Sequence, residues 1–156
     1  MTLQLKKRIA VAALAGVVAA SAVFATICAF AQNAALSSDT SVLAQSGGTL
    51  VLRATAGYEG EPGALGWSVV LPADWSLVAV NGPQVPTIAP EPGSTGTLEF
   101  AYTAVPANRA EFSMVVRYPA NAASIQVTST VLVRTGGKLT TLTPAPVPLK
   151  GVNGGG

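Results

Sequence analysis

From residue 49 to residue 143 apolar and polar positions alternate in short runs. Arg109–Tyr118 (RAEFSMVVRY) shows it best: Phe112, Met114, Val116 and Tyr118 fall on one parity, Glu111, Ser113 and Arg117 on the other. A period of two marks a strand with one buried face. The same reading predicts strands over Thr49–Ala56, Leu65–Leu71, Trp75–Val80, Gly96–Tyr102, Ser124–Arg134 and Lys138–Thr143. Between them stand Pro, Gly and Asn, the residues that set turn dihedrals. Gly136-Gly137 is a two-residue hairpin signal. Asn81 to Thr95 (NGPQVPTIAPEPGST) holds too many prolines for a central strand and is expected as a long surface connection. Beyond the first 31 residues, no stretch sustains apolar spacing at three and four residues for three turns, so helices are not expected there.

Seven such strands predict an all-β fold, a seven-stranded antiparallel sandwich of two sheets, over residues 49–143. The Ser/Ala/Gln-rich residues 32–48 read as a flexible segment leading into it. Residues 144–156 (PAPVPLKGVNGGG) read as a disordered tail.

The first 31 residues differ in kind. Lys6, Lys7 and Arg8 precede an uncharged Ala/Val-rich run from Ile9 to Ile27, and Ala29-Phe30-Ala31 forms a small-x-small cleavage signal before Gln32. This is the layout of a secretory signal segment, cleaved between Ala31 and Gln32. Its 19-residue apolar run could instead be retained as an anchor, the only membrane contact the sequence suggests. Either way the basic flank leaves the remainder outside the cytoplasm. Cys28 follows Ile27, which is larger than the small residue a bacterial lipobox needs.

Residues 65–75, LGWSVVLPADW, resemble the strand-turn-strand of bacterial extracellular Ig-like modules, in which a V-x-L-P-x-G-W segment joins two strands. The later GTLEFAY and FSMVVRYP runs are also similar to such modules, including cohesin-like and conserved-repeat surface domains. The resemblance covers about residues 48–143. Asp74 stands where those modules usually carry Gly, and Asp tolerates a left-handed backbone better than most residues. The resemblance implies a sandwich exported to the envelope or beyond, and no single activity.

Charge and chemistry narrow the function. Charged residues make up 10% of the chain, against roughly 25% in an average soluble protein. Residues 32–156 carry six basic and seven acidic side chains, a balance of −1, with the cations scattered. Nucleic-acid binding, which needs clustered cations, is not expected. The chain has no histidine and one cysteine, Cys28 in the signal segment. That excludes Ser-His-Asp and Cys-His nucleophiles, His- or Cys-ligated metals and a disulfide framework; no cofactor is expected. Glu59 and Glu61 are two apart on one loop, unlike a glycosidase pair across a cleft, and no D-x-D-x-D-G spacing offers a calcium loop.

What remains is a non-catalytic interaction module with a protein or glycan partner at the cell surface. Two variants are carried forward. One is a carbohydrate-binding module stacking sugars on Trp75 and Tyr58, while Trp67, in parity with Val69 and Leu71, is expected in the core. The other is subunit pairing by strand addition at Lys138–Thr143, the last strand and a candidate sheet edge.

Overall fold

A computed structural model describes residues 32–152. The signal segment and its cleavage bond after Ala31 lie outside the described residues. Nine strands and no helix make up the described chain. They are β1 (Asn33–Ser38), β2 (Gly48–Gly57), β3 (Ala64–Val70), β4 (Ser76–Asn81), β5 (Thr97–Tyr102), β6 (Arg109–Tyr118), β7 (Ile125–Thr135), β8 (Lys138–Leu142) and β9 (Val147–Leu149).

Two antiparallel sheets result. One has the order β1-β2-β6-β4; the other runs β5-β3-β7-β8, with β9 also paired to β7. The core lies between them, built from the parity the sequence displays: Leu50, Leu52, Ala54 and Ala56 of β2 and Phe112, Met114 and Val116 of β6 meet Leu65, Trp67, Val69, Val131 and Val133. Trp67 meets Phe112 edge-on, ring centroids 5.8 Å apart. Edge-to-face packing of this kind adds roughly 0.5–1.5 kcal/mol to area burial.

The turns follow the residues that make them. Gly136 and Gly137 have φ of 55° and 81°, the two positive values of a type I′ hairpin turn. Asp74 sits at φ 66°, in the left-handed region that Asp tolerates better than most residues. The turn is centred on Ala73-Asp74, and Pro72 supplies the carbonyl that accepts the Trp75 N–H at 3.3 Å.

Two expectations are corrected. Residues 33–38 do not lead loosely into the domain; they form β1, paired along β2 from Asn33↔Gly57 to Ser38↔Leu52. Leu36 is the side chain that β1 buries in the core. The segment after residue 143 is not a free tail either. Val147 and Leu149 are buried, and β9 pairs with β7 from Val127↔Val147 to Ile125↔Leu149. Pro148, between them, faces outward at a sheet edge, where a missing N–H costs no ladder bond. Between Val131↔Leu142 and Val127↔Val147, residues 143–146 oppose residues 128–130. That one extra residue is a bulge, and it separates β8 from β9.

Candidate functional site

The structure places the sequence-predicted aromatic pair in the interior. Trp75 is 2% exposed and packs on Tyr118 with ring centroids 5.4 Å apart. Tyr58 is 6% exposed and donates its hydroxyl to the Pro106 carbonyl at 2.8 Å. Burial pushes the Tyr58 phenol up to about 12. Tyr102 is raised further, first by burial and second by Tyr58, and donates to the Gln84 carbonyl at 2.6 Å. These hydroxyls tie loops to the sandwich. Neither Trp75 nor Tyr58 presents a ring face for a sugar, which corrects the carbohydrate platform. The signal was in the parity: Trp75 precedes Leu77 by two, and Tyr58 continues the series Ala54, Ala56.

Glu59 and Glu61 are exposed on the loop between β2 and β3. Among the described residues, no three of His, Cys, Asp and Glu gather closely enough to hold a metal ion. A groove of about 500 Å³ opens between Leu36–Ser41 and Ala145–Pro148. Its one carboxylate, Asp39, already accepts the Val51 N–H at 2.9 Å.

The two outer faces differ more than any pair of grooves. The face of the β1-β2-β6-β4 sheet carries Arg53, Arg109, Glu111 and Arg117, with Arg109 and Glu111 paired at 2.6 Å. On the opposite face, along β5-β3-β7-β8, small, hydroxyl and apolar residues predominate, and the strands carry two charges there, Glu99 and Arg134. Leu132 is 42% exposed, Leu139 51%, Ile88 57% and Val70 48%. Register places Gly66 at the centre of this face, flanked by Ala101 and Leu132, with Ile88 bridged to Ala101 beyond. A Cβ at Gly66 would meet only the Phe100 carbonyl, at 3.8 Å. The missing side chain leaves a depression of about 270 Å³ bordered by Ser68, Ile88, Glu99 and Leu132. Composition alone hid this face, because its exposed apolar residues come from four separate segments.

β8 is not the last strand, since β9 follows it, but it ends its sheet and pairs only with β7 among the described residues.

No family model and no curated protein matches the chain. Solved structures do share its fold. The full-length major pilin SpaD from Corynebacterium diphtheriae aligns over 75% of this chain with a TM-score of 0.56 and 11% identity. A chain in the complex of a CaDoc0917 variant with CaCohA2 aligns over 77% of this chain and 100% of its own length, with a TM-score of 0.54 and 13% identity. The chain spans 35% of the pilin's length. At these identities the likeness is one of fold: the two-sheet sandwich expected from the LGWSVVLPADW region is present.

Proposed function

We propose that this chain is an exported, non-catalytic β-sandwich module that works by protein contact through the outer face of its five-stranded sheet. The observation that carries the reading is that face: Ile88 and Leu132 are exposed beside a Gly66 depression, with Leu139 and Val70 exposed further out on the same sheet and two charges, Glu99 and Arg134, among them. Contiguous exposed apolar surface is uncommon on a soluble domain and marks contact sites. The signal segment read from residues 1–31 and the fold shared with a pilin and with a chain of a two-protein complex support an extracellular setting. The residue inventory, lacking histidine, supports a role without turnover.

The test is capture of envelope or secreted proteins on the immobilised module. Leu132→Lys and Ile88→Lys should abolish specific capture, and Val51→Lys on the other sheet should leave it intact. Capture that survives both face variants would sink the reading.

A further inference from the structure

The outer face of the five-stranded sheet carries two charges along its strands whose placement is symmetric about Gly66. Glu99 lies one strand to one side, opposite Ser68. Arg134 lies one strand to the other side, opposite Ala64. Ser68 and Ala64 are the same-face neighbours of Gly66 along β3, so Glu99 and Arg134 occupy opposite corners of a rectangle centred on it. With strands about 4.8 Å apart and same-face residues about 6.7 Å apart, the two Cα positions are roughly 16 Å from each other. Both side chains are exposed.

From this layout we infer that the face is self-complementary and binds a second copy of this chain, face to face across a two-fold axis through Gly66. The inference rests on the reading of this face as a docking surface. An axis lying in the interface, perpendicular to the Glu99–Arg134 line, exchanges the two corners. Each Glu99 then meets the second copy's Arg134, giving two equivalent ion pairs, as an isologous interface requires. The same operation carries each Leu132 onto the Gly66–Ser68 stretch of the other copy, where the missing side chain leaves room for it. From the Ile88 segment across to β8 the face is about 24 Å wide and about 21 Å long, so a pair covers on the order of 1,000 Å² in projection. That is the lower end of specific interfaces, and the dimer is expected to be reversible, with a Kd of about 1–100 µM.

Sedimentation velocity on the chain as recovered from an exporting host tests this across that concentration range. Wild type should show a concentration-dependent dimer. Glu99→Arg and Arg134→Glu should each weaken it at least about tenfold, because each sets like charges against one another twice. An equimolar mixture of the two variants should restore association, since both ion pairs re-form in the mixed dimer, one with its original polarity and one reversed. Far-ultraviolet dichroism confirms that both variants fold. Wild type monomeric throughout would overturn the inference; if Leu132-dependent capture of another protein persists, the proposed function stands without it. A dimer indifferent to both charge variants but lost on Thr140→Pro would also overturn it, in favour of β8 edge pairing.

Discussion

The two open sides of the sandwich are closed by different means. On the side of β4 and β5, the 82–96 loop satisfies both strand edges. Gly93 donates to the Leu77 carbonyl at 2.7 Å and Leu77 donates to Ser94 at 2.8 Å; Ile88 and Ala101 exchange two bonds of 2.9 Å. The prolines that disqualify this segment as a central strand make it a cover that another chain cannot extend. On the other side, β1 and β8–β9, closure depends on a few residues near the ends of the described chain. Leu43 donates to Lys150 at 2.8 Å and Lys150 to Ser41 at 2.9 Å, while β8 is left as an edge. The difference shows that irregular segments can serve as structure: one side is protected by a loop, the other is held by what reads as a tail.

Truncation after Thr143 breaks the contrast most directly. Two buried side chains, Val147 and Leu149, leave the core. At roughly 1.5–3 kcal/mol each, the loss should be about 3–6 kcal/mol by urea denaturation. A disordered tail would give no change. Gly47→Ala comes next, on the same side. Gly47 has φ 75°, and a Cβ there would lie 2.7 Å from the Ala120 nitrogen. The expected cost is about 1–3 kcal/mol, read from the same denaturation curve.

On the loop side the effects should be smaller, because several bonds share the closure. Ile88→Pro removes the donor to Ala101 and should cost about 1 kcal/mol. It also bares the β5 edge, so light scattering should rise with concentration. Tyr102→Phe frees the loop at Gln84, again for about 1 kcal/mol. Tyr102 and Tyr58 both titrate above the ordinary phenol value of 10 in the fold, Tyr58 at about 12. The stability they contribute is therefore present in full below pH 10 and lost as pH rises through about 12. The Phe variant should show a shallower alkaline decline in denaturation midpoint.

Seven strands were legible because their alternation is long and their breakers are Pro, Gly and Asn. β1 was not, since NAALSS offers Leu36 alone as a large apolar residue and Ser and Ala do not favour strands. β9 was hidden by Pro148, which reads as a breaker unless the strand is known to lie at an edge. That the chain has no histidine and a single cysteine, Cys28, could be read from composition. The candidate face could not. Val70, Ile88, Leu132 and Leu139 are single exposed residues in sequence, and only the pairing of β5, β3, β7 and β8 and the Ile88–Ala101 bridge bring them to one face.

Val42 pairs in parallel with Lys150, and Gly151 lies hard against the Ala122 carbonyl. The residues that complete this clamp follow all the other strands of the described sandwich along the chain. Until they are in place, the Ile125–Val127 end of β7 lacks its β9 neighbour and the 39–43 segment lacks its anchor. A chain synthesised N-terminus first thus cannot finish the sandwich until residues 147–151 have joined it.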